Sequence, residues 1–140
     1  SNKIQRMNFK KISADPFKAT INLGLQWNYL DELISKSEVI NVIRDYQKSK
    51  MAKGDMVLSV STKESEIVLA DQVEPHLEIS VINYPKFKHD SKQIKSEVIL
   101  LAQHLMAKFN QNRLVIEFLD ETLMIENTNE IDPRVEKYKK

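Results

Sequence analysis

The chain has 140 residues, 41% of them hydrophobic and 29% charged, with a formal net charge of +1. These are the values of one ordinary globular domain with its own core, and they exclude a strong overall field for nucleic acid or an anionic membrane. Cysteine is absent and glycine occurs only at Gly24 and Gly54, which excludes disulfides, thiol nucleophiles, cysteine-ligated zinc and the glycine-rich cradles of Walker A and dinucleotide motifs.

Residues 1–14 are basic and weakly patterned, with Lys3, Arg6, Lys10 and Lys11 standing among Ile4, Met7, Phe9 and Ile12. They predict a loose arm or a short helix ahead of a single α+β domain over 15–126. Asp15-Pro16 has the form of a helix start, but the pattern that follows contradicts it. From 17 to 27, Phe17, Ala19, Ile21, Leu23, Leu25 and Trp27 alternate with Lys18, Thr20, Asn22, Gly24 and Gln26. Successive strand side chains point to opposite faces, so this is a strand with one buried face.

The period then changes. Leu30, Leu33, Ile34, Val39, Ile40, Ile43 and Tyr46 have helical spacing. Ser35 and Glu38 form a capping box that would restart a helix there, and Gly54 suits its exit turn. The prediction is one bent helix or two short ones over 28–51. A hairpin of strands 56–61 and 66–70 follows, around the polar loop Thr62-Lys63-Glu64-Ser65. Residues 71–75 read as a link, because Pro75 cannot donate to a central ladder.

A further strand, 76–83, carries Leu77, Ile79 and Val81 on one face and His76, Glu78 and Ser80 on the other. Asp90 with Gln93 is an N-cap pair. Ile94, Val98, Leu101, Leu105 and Phe109 then mark the clearest amphipathic helix. Asn110-Gln111-Asn112 stops it, since Asn tolerates the left-handed cap conformation. Strands 113–119 and 122–126 form a second hairpin around Asp120-Glu121, and 127–140 read as a polar tail or a marginal helix after Pro133.

The expected architecture is a two-layer α/β sandwich of the α+β class, with a mostly antiparallel sheet of about six strands and two main helices on one face. The order suggests a tandem β-α-β-β repeat. Leu23, Leu25, Leu77, Ile79, Leu101, Leu105, Leu114 and Ile116 should form the core.

For chemistry the chain offers few groups. His76, Glu78 and Ser80 share a strand face, and His with a carboxylate is the material of acid–base catalysis or half a metal site. Solvent-facing alternation is the simpler explanation, since no further ligand sits nearby at metal spacing. The His-x-Glu pair is shared with zinc deaminases, but their Pro-Cys-x-x-Cys half is missing, so that reading fails. His104 falls at a flank of its helix's apolar stripe, and His89 sits in a polar loop. Tyr84-Pro85-Lys86-Phe87-Lys88-His89, with Lys92 and Lys95 behind, interleaves aromatics and cations as single-strand binders do. The near-neutral net charge weighs against nucleic acid.

Charge is unevenly spread. Glu117, Asp120, Glu121, Glu126, Glu130 and Asp132 lie between Leu114 and Pro133 with no Lys or Arg among them. An acidic hairpin can steer a basic partner, or it can be a solvated edge charged against aggregation. The favoured expectation is therefore a small non-catalytic inhibitor, adaptor or immunity-type protein. It would engage a basic protein surface through Glu117, Asp120, Glu121 and Glu126, with no cofactor and no metal. The alternatives are a hydrolase or metal-assisted enzyme centred on His76 and Glu78, and a nucleic-acid binder using 84–95. No bilayer-length apolar run and no signal-peptide core occur, which predicts a cytoplasmic protein with no membrane partner.

Overall fold

The computed structural model describes residues 7–27 and 31–127. Seven main elements follow in order: β1 (Lys18–Gly24), α1 (Lys36–Ala52), β2 (Ser61–Leu69), β3 (Gln72–Ile82), α2 (Ser91–Lys108), β4 (Arg113–Phe118) and β5 (Thr122–Glu126). The strands form one sheet in the order β2-β3-β1-β4-β5, with every neighbouring pair antiparallel. The first six elements make the β-α-β-β-α-β unit of ferredoxin-like sheets, with β1 and β2 separated by β3. β5 extends the edge beyond β4. The α+β class and the mostly antiparallel sheet are those the sequence predicts. There are five strands because a single strand, β2, stands where two short ones over 56–61 and 66–70 are predicted.

One layer of apolar side chains joins sheet and helices. Ala19, Ile21 and Leu23 of β1, Leu77, Ile79 and Val81 of β3, and Leu114 and Ile116 of β4 are buried in one cluster with Val39 and Ile43 of α1 and Ile94, Val98, Leu101 and Leu105 of α2. All eight expected core residues are in it. Full burial of such a side chain contributes about 1.5–3 kcal/mol.

The helix ends follow local chemistry. Ser35 caps α1: its Oγ accepts from the Glu38 N–H at 3.1 Å, and its own N–H donates to Glu38 Oε2 at 2.7 Å. That hydrogen bond to the charged form holds the Glu38 carboxyl below its ordinary range. Residues 28–30 lie outside the described residues, and Asp31–Ile34 are not helical, so the helix is shorter than 28–51. Gly54, at φ 71, closes α1, and Asn110, at φ 51, closes α2, each in the left-handed region that these residues tolerate best.

The first hairpin differs from the expected one. Residues 56–60 form no regular element, and the supposed loop Thr62-Lys63-Glu64-Ser65 lies inside β2. The turn is Ala70-Asp71, joining the Leu69 and Gln72 pair. Pro75 lies within β3 and not in a link. Its carbonyl accepts from Leu25 N–H at 2.9 Å, and the Leu25 carbonyl that a proline N–H could not serve accepts from Ile34 at 2.9 Å. The missing donor therefore falls just beyond the end of β1, where another residue replaces it.

Among the described residues, Met7–Phe17 contain no helix or strand, and the predicted tail lies almost wholly outside the described residues. No described helix is long and apolar enough to cross a membrane.

Candidate active site

The face of the sheet away from the helices collects the polar half of each strand. His76, Glu78 and Ser80 of β3 lie on it, as their alternation predicts. Register then adds neighbours. Ser80 is opposite Thr20 and Ser61, Glu78 is opposite Asn22 and Lys63, and His76 is opposite Gly24 and Ser65. Across β1, Thr20 and Asn22 face Glu117 and Val115 of β4.

These groups are knitted together. Thr20 Oγ1 and Ser80 Oγ share a hydrogen bond of 3.0 Å. Asn22 Nδ2 donates to Glu117 Oε2 at 3.2 Å. Thr20 is buried, and Asn22, His76, Glu78 and Ser80 are half-buried.

His76 stands at one end of this row. Its side chain is 18% exposed, and Nε2 is 3.8 Å from Glu74 Oε2, too long for a hydrogen bond. Nδ1 is buried with no hydrogen-bond partner among the described residues. Burial disfavours the imidazolium and lowers the pKa, and Glu74 offsets this only in part. At neutral pH the ring is therefore uncharged and has a nitrogen available to accept or donate. Gly24 leaves a gap beside the ring. A Cβ there would meet Gln111 Oε1 at 3.6 Å and His76 Nε2 at 3.7 Å. Gln111 itself is pinned by donation to the carbonyls of Gln26 at 2.7 Å and Phe109 at 3.0 Å. His76 and Gln111 thus approach one another beside Gly24, with the Asn22 and Glu78 pair next along the same face, which offers a proton acceptor, a carboxylate and two amides.

The other predicted sites are dispersed. His104 packs between the helices, its ring 4.7 Å from Tyr46, and burial then Lys108 lower its pKa. His89 is exposed, and its backbone is clamped by Asn83, which accepts from His89 N–H at 3.0 Å and donates to the carbonyls of His89 and Asp15. Among the described residues no group of three or more His, Asp or Glu could hold a metal.

The acidic hairpin is less acidic in space than along the chain. Lys95 of α2 pairs with Asp120 at 3.5 Å and Glu121 at 2.9 Å. Glu117 holds Asn22, and Glu126 sits opposite Arg113 in the ladder. A groove of about 220 Å³ lies beside this turn, lined in part by Phe17, Lys92, Lys95 and Phe118.

No family model and no curated protein matches this chain. Two solved structures share its fold. A phage SAM lyase in complex with S-methyl-5'-thioadenosine superposes with a TM-score of 0.64 at 16% identity, over 89% of this chain and 100% of that one. A phage SAM lyase in the apo state gives a TM-score of 0.66 at 19% identity, over 87% of this chain and 98% of that one. Both are structures of an enzyme. This finding overturns the expectation of a non-catalytic inhibitor, adaptor or immunity-type protein. The physical basis of that expectation is weakened too, because Lys95 answers charges that a count along the hairpin leaves unpaired.

Proposed function

We propose that this chain is a lyase acting on S-adenosylmethionine or a closely similar sulfonium nucleoside, with the open sheet face around His76 and Glu78 as its active site. The observation that carries the reading is the fold correspondence with the lyase solved with S-methyl-5'-thioadenosine, which spans 89% of this chain and all of that one. The polar, half-enclosed face supports it independently. So does the scarcity of glycine: a nucleoside sulfonium has no phosphate, and needs no phosphate cradle.

The chemistry is undemanding. The bond between sulfur and the γ-carbon of the methionine moiety breaks, and its electron pair stays on sulfur. The leaving group is then the neutral thioether S-methyl-5'-thioadenosine. The substrate's own carboxylate oxygen forms the new bond to that carbon and closes a five-membered lactone, so charge and atoms balance without a second reactant. The protein's part is to hold the methionine moiety folded for attack, an effect of orientation. Glu78 attracts the cationic substrate. Asn22 and Gln111 supply amides for its polar groups, and neutral His76 accepts from its ammonium. Contacts that favour the folded, reacting form over the extended substrate are the ones that raise the rate.

Incubation with S-adenosylmethionine and chromatography of the products tests this. The expected result is S-methyl-5'-thioadenosine with homoserine lactone, and a rate at least tenfold lower for Glu78→Gln. Homoserine released directly, with solvent oxygen incorporated, would indicate hydrolysis at the same face. Absence of any S-methyl-5'-thioadenosine would overturn the proposal.

A further inference from the structure

Gln111 is held in one orientation. Its Nε2 donates to the carbonyls of Gln26 at 2.7 Å and Phe109 at 3.0 Å, which uses both amide hydrogens. The same contacts fix which end of the amide is nitrogen, because a flipped amide would set its oxygen against two carbonyls. Oε1 is therefore a fixed acceptor, and among the described residues no donor is bonded to it.

Gly24 stands beside both Oε1 and the His76 ring. A Cβ there would make ordinary contacts with each, and Gly24 is not in the left-handed region. Neither crowding nor strain asks for glycine at this position, so its small size keeps room for a close approach. The neutral His76 ring accepts at Nε2 when its proton is on Nδ1. Glu74, whose Oε2 lies 3.8 Å from Nε2, is paired in the ladder with the apolar Ile67. Glu78, the next acid along this face, is answered in the ladder by Lys63. The opening beside Gly24 thus offers two acceptor atoms next to an unanswered negative charge.

We propose that Gln111 is a specificity-determining residue of the active site: its Oε1, with His76 Nε2, receives the α-ammonium of the substrate in the opening left at Gly24. An ammonium has three donors, no acceptor and a positive charge, which is the complement of this opening. A carboxylate would meet two acceptors and a like charge. A substrate without the ammonium would leave both acceptors unpaired as it displaced their water, and sites built on such bonds reject the analogue that lacks the donor. The inference rests on the lyase reading above and adds to it the substrate group that the site selects.

Steady-state kinetics of the unaltered chain, Gln111→Ala and Gly24→Ala tests this with three substrates. They are S-adenosylmethionine, its analogue with hydrogen in place of the α-ammonium, and its analogue with an oxo group in place of the adenine amine. The second keeps the carboxylate and can close the same ring, so it differs in recognition and not in the bond broken. The unaltered chain is expected to favour S-adenosylmethionine over it by roughly a hundredfold or more in kcat/KM. That preference should fall by at least about tenfold in each variant, while the preference over the oxo analogue stays as it was. A merely structural role for either residue would lower the rates on all three substrates together. Gln111→Ala frees two carbonyls, so if it does not fold, Gly24→Ala decides, since its Cβ fits at ordinary contact distance. Turnover of S-adenosylmethionine with an unchanged preference for the ammonium in Gly24→Ala would overturn this inference alone. So would a loss of preference over the oxo analogue instead, which would put the adenine in the opening. No S-methyl-5'-thioadenosine from the unaltered chain would overturn the lyase reading and this inference with it.

Discussion

The face of the sheet under the helices and the face away from them are built from alternate residues of the same strands. On the covered face Ile21, Leu77, Ile79 and Ile116 are fully buried and wholly apolar. On the open face Thr20, Asn22, His76, Glu78 and Ser80 are polar, largely half-buried, and partly bonded to one another. The first face carries the stability of the domain, since apolar burial there is complete. The second holds the His76, Glu78 and Asn22 side chains on which the proposed chemistry rests. One pattern of alternation thus divides apolar from polar side chains across the thickness of a strand.

The largest expected effect comes from the covered face. Leu105→Ala should destabilise by about 2–5 kcal/mol, the transfer loss plus the cavity. Ser80→Ala on the open face removes only the hydroxyl bonded to Thr20 and should cost about 0.5–1.5 kcal/mol. Urea unfolding of both variants checks this, and equal losses would erase the distinction between the faces.

A smaller effect sharpens the comparison through pH. Burial holds the folded-state pKa of His76 below its ordinary value of 6.5, so the unfolded chain takes up this proton first. Stability from this group is intact above the unfolded pKa and is lost as pH falls through 6.5 towards the folded pKa. The melting temperature should therefore fall on acidification from about pH 7 to pH 5, and less steeply in His76→Gln. Identical slopes in the two proteins would mean that His76 is as hydrated as in the unfolded chain.

The covered face was legible in the sequence because its signals are periodic and local. The alternation from Phe17 to Trp27 gives β1 and its buried side, although the ladder stops at Gly24 and only the orientation persists, with Leu25 buried. Ser35 and Glu38 mark the start of α1 through two hydrogen bonds that need nothing beyond four residues of chain. The misread hairpin has an equally physical cause. β2 is an edge strand with nearly every side chain exposed or half-buried, so Thr62-Lys63-Glu64-Ser65 has the composition of a loop while pairing as a strand. The apolar stretch at 56–60 is taken up partly by packing on the core through Leu58 and Val60, without a ladder. Pro75 looked like a strand breaker because its tolerance depends on Ile34, a residue remote in sequence.

The candidate site was half legible. Alternation put His76, Glu78 and Ser80 on one face, but which strands flank them depends on the order β2-β3-β1-β4-β5. Asn22 and Gln111 therefore gave no signal of their own. Asn22 occupied an ordinary polar slot of β1, and Gln111 lay in the stop signal after α2. Lys95 follows a basic, aromatic loop in sequence, and its pairing with Asp120 and Glu121 appears only when α2 lies beside the last hairpin.

The central claim is that the open face is where this protein meets its substrate. A nuclear magnetic resonance titration of isotope-labelled protein with S-methyl-5'-thioadenosine tests it most directly. The account predicts shifts clustered at Asn22, Gly24, the 76–80 segment and the Gln111 side-chain amide. Shifts confined to the groove of Phe17, Lys92, Lys95 and Phe118, or no shifts at millimolar ligand, would contradict it.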